Sequence, residues 1–298
     1  MKTIDPNSLS TAELHGYLLG AIAPRPIAFA STIDEQGRPN LAPFSFFNVF
    51  SANPPILIFS PARRGRDNTT KHTYENVLKV PEVVINVVSY SLVQQCSLAS
   101  TEYDEGVNEF VKSGLTELPS EIVQPPRIKE SPVQFECVVK EVIELGEEGG
   151  AGNLVMAEVV KIHINEEVLN EQGKIDPIAI DLVGRCGGDF YSRCNAQSMF
   201  EVPKPIRNKG IGVDQIPEDI RLSKVLTGND LGMLGNVELL PNETDVNEYK
   251  LIELSELFIE LEDQQSALEE ALHHKAKELL NEGKVEEAWK ALLTFNNG

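Results

Sequence analysis

The chain has little of what metal or disulfide chemistry requires. Its four cysteines, Cys96, Cys137, Cys186 and Cys194, are scattered and include no CxxC pair, so buried or free thiols in a reducing cytosol are expected rather than a zinc or dithiol site. The five histidines, His15, His72, His163, His273 and His274, have no metal-ligand spacing, and no metal is expected. No G-x-G-x-x-G follows a β-patterned run, which excludes nicotinamide binding in the doubly wound manner. No uncharged apolar run reaches the roughly 18 residues that suggest a membrane span. The first residues, MKTIDPNSLSTAEL, lack the basic and apolar regions of a signal peptide, so a cytoplasmic protein is expected. Positive charge is also short: a formal net charge of −20 makes nucleic acid or an anionic membrane a poor general partner.

What is present is the composition of a folded protein. With 298 residues, 41% hydrophobic and 24% charged, the chain can build one large domain or a domain with an appendage. Ile27–Ile33 alternates as a strand, Asp34–Pro39 is a turn, and Leu41–Phe50 reads as a second strand with Phe44, Phe46 and Phe50 on one face. Ile56–Ser60 and Glu82–Val88 are short buried-strand candidates, and Leu92–Leu98 is a helix. Gly106–Pro126 reads as a mobile loop-and-helix insertion. Val133–Leu145 and Asn153–Ile164 flank the glycine-rich turn Glu147–Gly152 and form a hairpin. Strand density from Ile27 to Ile164 predicts a closed or nearly closed antiparallel barrel with helices outside it, a mainly β, α+β fold.

Against the acidic background, Pro61–Thr73 (PARRGRDNTTKHT) gathers Arg63, Arg64, Arg66 and Lys71. A cationic patch in so acidic a chain points to a specific anion, the phosphate of a small cofactor. It runs into Thr73–Leu78, a helix start with Thr73 as N-cap, where the dipole favours an anion. Flavin mononucleotide (FMN) makes three demands: convergent donors for phosphate, an apolar slot for the ring, and polar groups at the ring edges. Ser31, Thr32, Ser45, Lys71 and Thr73, with Arg66 from the loop, are candidates for the first demand. Pro43, Phe44, Phe46 and Phe47 are candidates for the slot, and Asn48 with backbone groups for the edges. The aromatics alone would read as core; the adjacent hydroxyls and the basic loop change that reading.

The ordered series PRPIA (Pro24–Ala28), Ser31-Thr32, NLAPFSFFN (Asn40–Asn48), Asn53-Pro54-Pro55, KHT (Lys71–Thr73) and RCGGDFY (Arg185–Tyr191) resembles the flavin reductase-like, FMN-binding split-barrel family. The branch it resembles is the reductase component of nitrilotriacetate-type two-component monooxygenases. The similarity covers roughly Leu14–Pro203. It implies that Thr32, Ser45, Lys71 and Thr73 contact phosphate and ribityl, and that Arg25, Pro43, Phe44 and Phe46 lie beside the isoalloxazine. It also implies a homodimer with flavin at the interface, Tyr191 and its segment closing the neighbour's pocket. One departure is His72, where the family usually has Asp.

By the same resemblance, residues 1–204 form the split-barrel domain and residues 205–298 a C-terminal extension. From Asn242 onward the chain lacks proline and is strongly acidic, with Leu254, Leu257, Phe258, Leu261, Leu268, Ala271, Leu272, Leu279 and Leu280 at helical spacing. Gly283 ends one helix and Val285–Leu293 starts another, so His274–Leu293 reads as a helical hairpin. One such hairpin cannot bury its own apolar face and is expected to dock on the barrel or on a partner. The leading functional expectation is an FMN-dependent NAD(P)H:flavin reductase serving an oxygenase partner. The alternatives are a flavoredoxin-like electron carrier with a redox-protein partner and a non-catalytic flavin-binding protein.

Overall fold

The computed structural model describes residues 1–205, 207 and 209–295. The chain divides into two compact units, Met1–Phe200 and Glu201–Gly298. No helix among the described residues is long and apolar enough to cross a membrane.

The first unit opens with α1 (Thr11–Ala21), started by a capping box between Ser10 and Glu13. Then come β1 (Ala28–Ile33), β2 (Pro39–Phe44), β3 (Phe47–Ala52), β4 (Pro55–Phe59), α2 (His72–Lys79), β5 (Glu82–Val87), α3 (Val93–Leu98) and α4 (Glu109–Ser113). Short β6 (Glu117–Leu118) and β7 (Arg127–Ile128) precede the long β8 (Val133–Glu144) and β9 (Asn153–Ile164), and a ribbon of β10 (Val183–Arg185) and β11 (Tyr191–Arg193) follows. The main sheet runs β2-β1-β5-β8-β9-β4-β3, and its ladders are antiparallel.

The order of the sheet forces its closure. β2 and β3 are its opposite edges, yet only Ser45 and Phe46 separate them in the chain. The sheet must therefore curl until its edges meet, leaving a seam where no ladder joins them. One core confirms the closure: Ala28, Ala30, Phe44, Leu57, Phe59, Val83, Ile85, Cys137, Val139, Val155 and Ala157 pack together from six strands, with Val77 of α2. A second cluster on the outer face joins Phe29 and Leu41 to Leu92, Cys96, Phe110 and Ile128 under α3 and α4. This is a split β-barrel with peripheral helices.

The expected single strand Leu41–Phe50 is in fact two. The chain leaves its pairing with β1 at Phe44 and resumes on β4 at Phe47. The turn between them breaks the alternation, so Phe44 faces the core while Phe46 and Phe50 are exposed. The segment expected to be a mobile insertion is instead fastened by two buried carboxylates. Glu109 accepts the Leu41 backbone N–H at 3.0 Å. Glu136, fully buried, accepts the N–H groups of Glu121, Ile122 and Val123 at 2.8, 2.6 and 3.0 Å and contacts His163 Nε2 at 2.6 Å.

The second unit comprises α5 (Glu218–Arg221), α6 (Gly228–Leu234), α7 (Glu243–Glu253), α8 (Ser255–Glu260), α9 (Gln265–Asn281) and α10 (Val285–Leu293). The α9–α10 pair is the expected hairpin, but it does not wait for an outside surface. Its Leu272, Ala276, Leu280, Trp289 and Leu292 are buried with Ile216, Ile220, Leu226, Leu234 and Leu254 of the same unit. The fully buried Trp289 donates its indole N–H to the Leu234 carbonyl at 3.0 Å, meeting the polar demand of a buried tryptophan.

Residues 201–298 expressed alone are therefore expected to melt cooperatively, followed by emission of the single tryptophan. Trp289→Ala should cost about 3–5 kcal/mol by cavity formation, measured by urea unfolding with circular dichroism. A fragment without a cooperative transition would show that its core needs the barrel.

Glu136 predicts an acid dependence. Burial alone would raise its pKa, but the backbone donors of Glu121, Ile122 and Val123 and the imidazole of His163 outweigh burial and lower it from 4.5 to about 2. The stabilisation is complete above the unfolded value and is lost as pH falls from 4.5 towards about 2. The stability gap between wild type and Glu136→Gln should accordingly be full at neutral pH and narrow across that window.

Candidate functional site

β2 organises the candidate site, with one group of side chains near each end. Near its start, Thr32, Asn40, Thr73 and Asn76 form a buried polar lock. Asn40 Nδ2 donates to Thr73 Oγ1 at 2.9 Å, and Asn76 Nδ2 donates to Thr32 Oγ1 at 3.1 Å. The lock fixes α2 against β1 and β2.

Thr73 is not the N-cap of α2. Lys71 holds that position with extended backbone and no side-chain cap, so Thr73 lies in the first turn. The structure also corrects the role of Ser31: it is fully buried between Leu41 and Val84 in register, and its Oγ has no partner. A phosphate cannot reach it without opening the outer core. Thr32 is equally buried and serves the lock.

The basic loop is clamped to the β8–β9 turn. Arg63 N donates to Ala151 O at 2.8 Å, Gly150 N to Arg63 O at 3.0 Å, and Asn68 Nδ2 to Glu147 O at 2.9 Å. Close approach requires bare backbone: a Cβ on Gly149 would lie 3.1 Å from Arg64 O, and one on Gly152 2.8 Å from Ser60 Oγ. Arg63 points into this clamp, donating to Asn68 Oδ1 at 2.7 Å and Asn68 O at 2.9 Å.

The other cations converge on a residue that sequence reading missed. The Glu102 carboxylate lies 3.0 Å from Arg64 Nε, 3.1 Å from Arg66 Nη2 and 3.3 Å from Lys71 Nζ. The hydrogen bonds from Arg64 and Lys71 lower its pKa. A small cavity of 40 Å³ beside it is lined by Asn40, Arg64, Lys71, His72, Thr73, Glu102 and Glu109. His72 lines the same cavity; burial raises the Glu109 pKa despite the opposing hydrogen bond from the Leu41 backbone N–H.

At the far end of β2 lies the corner Ser45–Phe46. Arg25, 5% exposed, donates to Ser45 Oγ (3.3 Å), Leu19 O (2.8 Å), Ile22 O (2.5 Å) and Cys186 O (3.2 Å). Its backbone also pairs with Arg185. Arg25 is thus a latch holding the corner to α1 and the β10–β11 ribbon. Phe44 turns inward against Phe59, with ring centroids 5.4 Å apart, so its ring cannot wall an outer slot. Phe46 is 38% exposed, edge-on to His15, and Pro43 is half-buried. Asn48 is exposed and bonds the Val49 N–H at 2.8 Å. Tyr191 lies apart, under the Arg185 guanidinium at 4.7 Å, in a 390 Å³ cavity with Tyr90, Gln94 and Arg193.

The structure thus gathers Arg66, Lys71 and Thr73 at one end of β2 and Arg25, Ser45 and Phe46 at the other. The outward edge of the strand runs between them. It offers few free donors: Pro39 and Pro43 lack N–H groups, and Leu41 N–H is taken by Glu109.

A seven-stranded barrel open at one seam, with peripheral helices, has the split-barrel architecture. The chain belongs to the flavin reductase like domain family, which matches residues 20–179. The match ends before the helical unit begins at Glu201. An uncharacterized protein of Aquifex aeolicus (strain VF5) is 36% identical over 189 residues, 63% of this chain and 94% of that protein. Nitrilotriacetate monooxygenase component B from Bacillus cereus superposes with a TM-score of 0.63 at 29% identity, covering 68% of this chain and 98% of that one. Flavoredoxin of Desulfovibrio vulgaris (Miyazaki F) shares the fold at 20% identity with a TM-score of 0.53, over 62% of this chain and 93% of its own.

Arg25→Ala tests the latch. It leaves the carbonyls of Leu19, Ile22 and Cys186 without their donor, and about 2–4 kcal/mol of stability should be lost. A melting temperature within a degree or so of wild type would refute the latch.

Proposed function

We propose that the first unit binds FMN along the outward edge of β2 and uses it as an NAD(P)H-dependent flavin reductase, supplying reduced flavin to an oxygenase partner. One observation carries the reading: three cations at the uncapped start of α2 already hold a carboxylate, so the position is built for an oxyanion. In this reading Lys71, Arg64 and the first-turn N–H groups of α2 hold the phosphate, with the Thr73 hydroxyl beneath it. The ring lies at the Ser45–Phe46 corner, which the Arg25 latch keeps in place, and Phe46 with Pro43 supplies apolar surface.

FMN would supply hydride acceptance and release. The chain's own residues would bind it, orient it and exclude water from one face. Family membership and the likeness to a monooxygenase component B support a reductase over a carrier.

The site is also proposed to be completed by a second copy. α1 has no buried residue although Tyr17, Leu18 and Ile22 are exposed on or beside it, and β3 is an edge strand exposing Val49 and Phe50. Apolar surface of this kind beside an open seam suits a homodimer interface.

Purified protein should be yellow and release FMN on denaturation; FAD as the stoichiometric ligand would sink the reading. Lys71→Glu should weaken FMN binding at least tenfold while Arg63→Glu affects mainly stability, since a charge-assisted contact is worth about 1.5–3 kcal/mol. Equal FMN affinities for the two variants would refute the phosphate assignment. Anaerobic NADH or NADPH should bleach the bound flavin, and added FMN should sustain turnover. Flavin that stays oxidised under both nucleotides yet accepts electrons from a small redox protein would mark a carrier instead.

A further inference from the structure

We propose that Glu102 is a built-in competitor for the cofactor's phosphate: its carboxylate occupies the oxyanion position at the start of α2 and is exchanged for phosphate when FMN binds. The inference rests on the FMN reading above and adds a residue that sets which flavins the site accepts.

Glu102 does not belong to the loop that carries its partners. It enters from residues 99–108, the connection between α3 and α4. That connection is tied internally by Thr101 N to Leu98 O at 3.2 Å and Tyr103 N to Thr101 O at 2.9 Å. Its far end is held by Arg38, which pairs with Glu105 at 3.3 Å and packs over Gly106. Gly106 has φ +81°, a conformation that favours glycine there. The α3–α4 connection thus carries one side chain into the cation cluster.

That side chain can leave. Glu102 is 43% exposed, so rotating its carboxylate into water breaks ion pairs but buries no charge. The floor of the position cannot leave, because Thr73, Asn40 and Thr32 are buried and bonded to one another. Phosphate and carboxylate cannot share the cluster, since two anions within a few ångströms repel.

The exchange has one consequence: a flavin must bring enough negative charge to displace the carboxylate. FMN, with about two charges on its phosphate at neutral pH, does so; riboflavin, which lacks the phosphate, does not.

The test titrates flavin-stripped full-length protein with FMN and with riboflavin at neutral pH, comparing wild type with Glu102→Gln. Glu102→Gln should tighten FMN binding about fivefold, the scale of partly exposed ion pairs, and leave riboflavin affinity unchanged. Weaker FMN binding by the variant would show that Glu102 organises the cations rather than competing with the ligand. An equal shift for both flavins, or none for either, would likewise overturn the inference. If wild type binds FMN and Lys71→Glu weakens it while Glu102→Gln changes nothing, this inference alone falls. If wild type binds neither flavin, or Lys71→Glu leaves FMN affinity unchanged, the cofactor reading falls with it.

Discussion

The first unit depends on a covalent constraint: the opposite edges of its sheet are joined by Ser45 and Phe46. A link so short cannot span an open sheet, so curvature is set by connectivity before any side chain contributes. Packing then fits the result, with small Ala28 and Ala30 admitting Phe44 and Phe59 to one interior. The bonds around the corner secure it: Ser60 N donates to Phe46 O at 2.9 Å, and Arg25 reaches Ser45 from α1.

An unpaired sheet edge attracts other chains, and this one is managed. Two prolines remove donors from β2, and Glu109 occupies the N–H between them. The same carboxylate fixes α4, so protecting the edge and fastening the insertion are one interaction. Glu136 does comparable work further along, gathering three backbone donors of the following loop. In a chain of net charge −20, some of the excess acid is thus internal wiring, not solvated surface.

How much of this was legible in the sequence follows from the range of each signal. Strands β1, β4, β5, β8 and β9 stand close to where alternation and turn residues place them, because both signals are local. The break at Ser45–Phe46 was not legible, since the apolar period of two runs through a corner that only the non-local pairing with β4 creates. Ser31 and Thr32 looked like ligands because hydroxyls on a strand carry no sign of their burial. Glu102 gave no signal, being more than a whole helix away from the cations it meets. The α9–α10 hairpin was legible from its leucines, but its cover was not: Ile220 and Leu234 sit in helices too short to show a period, and Ile216 lies in the extended link before α5.

The placement of Trp289 has an optical consequence. The sole tryptophan is sealed in the helical unit, outside the part of the chain matched by the family, so the barrel contributes no indole emission. Flavins absorb where tryptophan emits. With a flavin bound to the first unit as proposed, energy transfer to it from Trp289 would be an intrinsic ruler. It would report the separation of the two units, and any change in it on reduction or partner binding, without an attached dye.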